Sequence, residues 1–263
     1  MLQIINPEIV GGSLAFVVFF GILASLAIGR RIGQRIIARH GDTGLASSSS
    51  LETAVFALLG LLIAFTFSGA LTRFDVRRGQ VVDEANAIGT AYLRIDLLPS
   101  SAQLRLRDTF RSYVDARIAT YKKLPDLPAA RRELERSQAL QTDIWAQAVA
   151  TTRLPESRPG TEVLLMPALN AMFDITTVRL VATQMHPPFI VYVMLVGLAL
   201  ASALLAGYQS APEKATDWMH QLGFAGIVAF TVYVILDIEY PRMGWIRIDA
   251  VDQVLVSLRA SMK

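Results

Sequence analysis

Apolar positions crowd into four long runs, 9–28 (IVGGSLAFVVFFGILASLAI), 51–71 (LETAVFALLGLLIAFTFSGAL), 189–208 (FIVYVMLVGLALASALLAGY) and 218–238 (WMHQLGFAGIVAFTVYVILDI). Each is close to the roughly 20 residues that carry an α-helix across about 30 Å of hydrocarbon, so four membrane-crossing helices are predicted. Between the second and third runs, mixed polar and apolar positions carry no β-hairpin signal, and prolines divide them into helices. One helix should run from the second apolar run to about Leu98, stopping before Pro99. Others should cover 101–123, 127–152 after LPDLP, and 161–185 after PESRPG. Pro167 either kinks the last of these or marks a later start. His186-Pro187-Pro188 ends it, and Pro241 turns the chain from the fourth apolar run into a short amphipathic helix. Ser49 and Glu52 have capping-box spacing, which places the start of the second long helix there. The predicted fold is therefore all-α: a polytopic membrane protein with four transmembrane helices and an extramembranous helical bundle into which the second transmembrane helix extends. The expected boundaries are 1–71, 72–188, 189–238, and 239–263 packing on the bundle.

Composition agrees, with 53% hydrophobic and 18% charged residues and a mean hydropathy of +0.42. The first run has no positive residue before it, exceeds the usual apolar length of a signal peptide and lacks a small-x-small cleavage pattern after it, so a membrane helix is expected. Four crossings put both termini and the helical region on one side. Arg30, Arg31, Arg35 and Arg39 follow the first helix and favour a cytoplasmic first loop. The other side carries six arginines near membrane ends (73, 77, 78, 179, 242, 247) against those four plus Lys214, so charge counting does not fix orientation.

Cysteine is absent, which excludes disulfides and thiolate chemistry. No Walker loop, dinucleotide fingerprint, HExxH or GxSxG occurs. His40, His186 and His220 lack the spacing of a shared metal site, so no catalytic residue, metal or cofactor is assigned. Arg132, Glu133, Glu135 and Arg136 suit a solvated helix face. Arginines alternate with acids and form no basic stripe, which argues against nucleic acid. Trp218, Tyr233, Tyr240 and Trp245 are placed as interfacial anchors around the last membrane helix.

The second long helix carries the strongest pattern. Gly60, Ala64 and Ser68 recur every four residues, the small-residue ridge that lets helices approach closely in lipid, and Gly60 and Ala64 are candidates for subunit packing. Phe56, Ile63 and Phe67 follow an adjacent face. The ridge and the bulky stripe fit either packing within the chain or an oligomer with a dewetting constriction around an axis. On the second reading Phe56, Ile63 and Phe67 form the constriction, and Thr66 and Ser68 the polar lining. Arg73, Arg77 and Arg78 then stand at the mouth, and Asp83, Asn86 and Thr90 line a vestibule. The same arginines equally fit contacts with lipid phosphates. Phe74, Arg78, Val81, Ala85, Ile88, Tyr92 and Ile95 keep a seven-residue rhythm, so a helix continuous over 51–98 would carry one packing seam along about 70 Å.

The run LLGLLIAFTFSGALTRFDVRRGQVVDEANAIGTAYLRIDLLP and the ending ILDIEYPRMGWIRIDAVDQVLVSLRASM resemble the bacterial bestrophin-like membrane proteins. The ending has Tyr-Pro-Arg where that family usually has Arg-Pro-Phe. Bestrophins are oligomeric, mainly anion-conducting channels with four membrane helices per subunit, a cytosolic helical region between the second and third, and a hydrophobic neck on the second. Thr72-Arg73-Phe74 matches their Thr-Arg-aromatic ending, whereas no counterpart of the acidic calcium clasp is present. The resemblance implies a homo-oligomeric (tetrameric or pentameric) ion channel of the bacterial inner membrane, in contact with lipids and permeant ions, its large domain cytosolic. The rival expectation is a non-conducting sensor or scaffold whose helical domain binds a partner.

Overall fold

The computed structural model describes residues 7–40, 49–213, 217–242 and 244–262, and among these every regular element is helical. The elements are α1 (Pro7–His40), α2 (Ser49–Leu93), α3 (Ser100–Lys122), α4 (Leu127–Thr152), α5 (Thr161–Ala182), α6 (Phe189–Gln209), α7 (Trp218–Glu239) and α8 (Asp249–Ser261). A 3₁₀ turn, Arg94–Leu97, finishes α2 before Pro99. Helix α2 begins at Ser49 and runs for 45 residues through Gly69 and Gly79. Residues 41–48, the Ser49 and His40 side chains, and Lys214 lie outside the described residues. Pro167 sits inside α5, which continues through it.

The chain divides into two compact units, Met1–Arg73 with His186–Tyr240, and Phe74–Met185 with Pro241–Lys263. In the first, α1 packs on α6 and α7. Its tightest approach is made by glycine. A Cβ on Gly29 would lie 2.0 Å from the Leu204 carbonyl oxygen, and one on Gly207 would lie 2.1 Å from that of Leu26. Gly33 repeats the arrangement one turn on, 2.7 Å from the Tyr208 carbonyl oxygen. Backbones touch only because no side chain separates them, which suits association in lipid, where apolar burial alone gives little. Val18, Ile22, Leu195, Ala199 and Ala203 fill the rest of the seam.

In the second unit, Val81 and Ile88 of α2 and Ile95 of the 3₁₀ turn meet Phe110 and Tyr113 of α3, Ile144 of α4, Leu165 and Met172 of α5, and Leu255 of α8 in one apolar core. The seven-residue rhythm of α2 is thus a seam within the chain. Asp126 caps α4, its Oδ1 accepting from the Ala129 N–H at 2.9 Å, which satisfies an orphan donor of the first turn. Within the core, Gln141 donates to Tyr113 Oη (3.2 Å) and Thr176 Oγ1 (3.1 Å), tying α3, α4 and α5.

Among the described residues, five helices are long and apolar enough to cross a membrane: α1, α2, α5, α6 and α7. Helix α5 differs from the others in lying wholly within the second unit, to whose core it contributes fully buried Leu165, Leu169 and Met172 while carrying Asp174 and Arg179.

Candidate functional site

Exposure along α2 follows one helical phase from end to end. Leu59, Ala70, Arg77, Val81, Glu84, Ile88 and Ile95 are buried. On the opposite side Ala57, Leu61, Ala64, Ser68, Thr72, Asp75, Gly79, Asn86 and Thr90 are all exposed. This open face is apolar and small-sided at first, then hydroxylic, then polar. Its largest side chain, Phe65, is 68% exposed.

The sequence candidates distribute over both sides. Gly60, Ala64 and Ser68 lie on the open face, and a Cβ added to Gly60 would meet no atom within 4 Å. Phe67 stands at its edge, 37% exposed. Phe56 is half-buried and packs edge-on to Phe224 of α7, with ring centroids 5.7 Å apart. Ile63 is likewise half-buried. The Thr66 hydroxyl donates to the carbonyls of its own helix, Leu62 at 2.8 Å and Ile63 at 3.0 Å. Asp83, Asn86 and Thr90 are exposed.

The three arginines part company. Arg73 grips Glu239, Nε donating to both carboxylate oxygens (2.9 and 3.1 Å) and Nη2 to Oε2 (2.9 Å). Glu239 is fully buried, and the His186 ring, stacked on Tyr240, places Nδ1 3.2 Å from the same carboxylate. Arg77 is buried and donates to the carbonyls of Ala182 (3.1 Å) and Met185 (2.9 Å), which serve as the unsatisfied acceptors at the end of α5. Arg78 remains exposed, bonded to Asp75 at 3.2 Å and lying over Phe74. A guanidinium one helical position away from another therefore has an entirely different environment, because 100° of rotation separates the covered side of α2 from the open one.

Sequence reasoning missed a second concentration of charge, in the second unit. Glu84 of α2 is fully buried between two guanidinium groups: Arg117 Nε donates to Oε1 at 2.6 Å, and Arg179 Nη1 donates to Oε2. Arg117 Nη2 donates to Tyr121 Oη at 2.8 Å. Arg242, before α8, is held by Asp252 through two bonds of 2.6 and 2.9 Å. Its guanidinium carbon and that of Arg179 lie 4.3 and 4.2 Å from the Tyr121 ring centroid. Burial, and then the like charge of Arg242, pull the Arg179 guanidinium down to about 9, with Asp252 opposing them. Glu84 lies within the DEAN stretch, yet its partners are 33 and 95 residues away in sequence, so no local pattern announces them. The glycine contact of α1 does have a local signal, the Gly29-x-x-x-Gly33 spacing.

Among the described residues no cluster of three or more histidine or acidic side chains is arranged to hold a metal ion.

The fold has known relatives. A bacterial bestrophin homologue from Klebsiella pneumoniae, solved as a tryptophan-to-alanine variant, superposes with a TM-score of 0.64 at 12% identity, covering 95% of this chain and 99% of that one. A leucine-to-threonine variant of a Klebsiella pneumoniae homologue gives 0.62 at 11% identity, covering 92% and 98%. A structure described as a membrane protein, a proline-to-alanine variant, gives 0.62 at 13% identity, covering 93% and 99%. No curated protein matches by sequence. The Bestrophin-like domain model matches residues 48–252, a span that includes the open face of α2, the Glu84 cluster and the turn at Pro241. With most of its length in that match and this fold, the chain belongs to the Bestrophin-like family.

Proposed function

We propose that the protein is an oligomeric, bestrophin-like ion channel whose axial pathway is lined by the open face of α2. The observation that carries the reading is the unbroken exposure of one side of this helix, from Ala57 and Leu61 through Ser68 and Thr72 to Asn86 and Thr90. Small residues let neighbouring copies approach and, interleaved with them, bulky apolar ones narrow and dewet a passage, while the polar residues further along the helix widen and wet it.

Within this proposal, Leu61 and Phe65, with Phe67 at the edge, form the constriction, since Phe56 and Ile63 are turned toward their own chain. Ser68 and Thr72 follow as lining, and Arg78 is the mouth cation. Asp83, Asn86 and Thr90 line the vestibule. Helices α1, α6, α7 and the first half of α2 cross the bacterial inner membrane. Helix α5 belongs with the extramembranous domain of 72–188 and 239–263, on the cytosolic side. Family likeness favours anions, and Arg78 on the open face agrees with it.

Purified protein reconstituted in planar bilayers tests the reading. Currents that depend on Leu61 and Phe65 support it, whereas silence across voltage, salt and pH leaves the sensor or scaffold alternative in its place.

A further inference from the structure

Where α6 ends and α2 and α7 begin, at the opposite end of the first unit from the Arg73–Glu239–His186 contacts, the helices leave a cavity of about 380 Å³. Its inner wall is apolar, made by Leu26 of α1, Phe56 of α2, Ala206 of α6 and Phe224 of α7, the two phenyl rings meeting edge-on. Phe56 stands seven residues into α2 and Phe224 six into α7, about 9–10 Å from those helix starts at 1.5 Å per residue. In helices that cross a membrane the wall is therefore at hydrocarbon depth and the rim at headgroup level, where Trp218, 62% exposed, suits an interfacial aromatic. The rim is polar and acidic. Glu213 and Asp217 supply two exposed carboxylates, and the described lining contains no lysine or arginine. Asp217 accepts from the His220 backbone N–H at 3.2 Å and meets the ring Nδ1 of His220 at 2.5 Å. The Ser210 hydroxyl donates to the Gly207 carbonyl at 2.9 Å, which leaves its own lone pairs to accept. A cation stands beside this rim, since Arg30 donates to the Glu213 carbonyl at 2.7 Å.

We propose that this cavity binds a zwitterionic phospholipid whose head carries a primary ammonium beside its phosphate. The ammonium sits among Glu213, Asp217 and the Ser210 hydroxyl, the phosphate meets Arg30, and the root of an acyl chain lies against Phe56 and Phe224. A primary ammonium has three N–H donors for these acceptors, whereas a trimethylammonium has none. A lipid whose head is only anionic would bring its charge against two carboxylates. A soluble amine would leave the apolar wall facing water. The volume falls within the roughly 300–1,000 Å³ of small-molecule sites and takes a head and the start of a chain, the remainder staying in the bilayer. The inference rests on α1, α2, α6 and α7 crossing a membrane and is independent of conduction.

The test follows the unfolding midpoint of the delipidated, detergent-solubilised full chain. Titrants are phosphatidylethanolamine, phosphatidylcholine and phosphatidylglycerol with the same acyl chains, and soluble phosphoethanolamine. Phosphatidylethanolamine should raise the midpoint saturably, the folded-to-unfolded ratio gaining about tenfold when the lipid is at about ten times its dissociation constant. The other three should raise it far less. Equal gains from all three lipids overturn the proposal, and so does a gain from soluble phosphoethanolamine that matches the lipid's, which would mark a site for a soluble amine. Glu213→Gln combined with Asp217→Asn removes both charges while asparagine keeps a helix cap, and should abolish the advantage of phosphatidylethanolamine over phosphatidylcholine. An undiminished advantage puts the lipid elsewhere and overturns the assignment. Should the double variant fail to fold, Glu213→Gln alone, at an exposed position, decides by the same comparison: a reduced advantage supports the site and an unchanged one overturns it.

Discussion

Arg73 and Glu239, 166 residues apart, form a three-bond ion pair in which the carboxylate is fully buried. The pair joins α2, two residues after the end of its apolar run 51–71, to the last residue of α7. A charge needed to leave the membrane becomes a fastening. Removing one partner of a buried pair costs about 3–5 kcal/mol, because the other charge is left uncompensated, whereas replacing both with apolar groups can be neutral. Glu239→Leu should therefore lower the unfolding midpoint markedly, and Arg73→Met with Glu239→Leu should recover much of it. A double-mutant cycle in detergent checks this, and additive losses would count against the coupling.

Glycine positions should separate by environment. Gly207→Ala drives a methyl into the Leu26 carbonyl, and neither backbone has a flexible end to move aside. The loss should reach or exceed the roughly 1–3 kcal/mol of an overpacked core. Gly60→Ala meets nothing within 4 Å in its own chain and should stay within about 1 kcal/mol of the parent, in the direction of higher helix propensity. Unfolding followed by size-exclusion fluorescence compares the two.

The proposed constriction predicts a split between neighbours on one helix. Leu61→Ala and Phe65→Ala should raise single-channel conductance or open probability by removing the bulk that faces the axis. Phe56→Ala removes an edge-on aromatic contact worth about 0.5–1.5 kcal/mol beyond its buried area, and should reduce stability while leaving conductance near the parent value. Unchanged currents in both Leu61 and Phe65 variants, with altered currents in Phe56→Ala, would move the passage to another face.

Adjacent arginines should also behave differently. Arg78→Glu should shift the reversal potential in a salt gradient toward the cation, most strongly at low ionic strength, where surface charge is least screened. Arg77→Gln takes charged donors from the Ala182 and Met185 carbonyls, each such bond contributing about 1.5–3 kcal/mol, so its main effect should be a lower unfolding midpoint.

Much of the architecture is legible in the sequence. Proline spacing and hydrophobic period bounded α3 at 101–123 against an observed Ser100–Lys122, and α4 at 127–152 against Leu127–Thr152, because capping, propensity and period are properties of neighbouring residues. The continuity of α2 through Gly69 and Gly79 was legible for the same reason. Its phase was not. Phe56, Ile63, Phe65 and Phe67 are equally hydrophobic in sequence, and only Phe224 and the rest of the chain decide which are covered.

Sequence by itself determined helical elements, membrane-length apolar helices and one long second helix, since each follows from interactions over a few residues, while the bestrophin-like order of elements was read from resemblance. Tertiary structure alone decided that Arg73 and Arg77 turn inward while Arg78 stays open, and that Glu84 gathers Arg117 and Arg179. Those outcomes depend on which atoms meet across 33 to 166 residues of chain, and a guanidinium's character is set by what surrounds it.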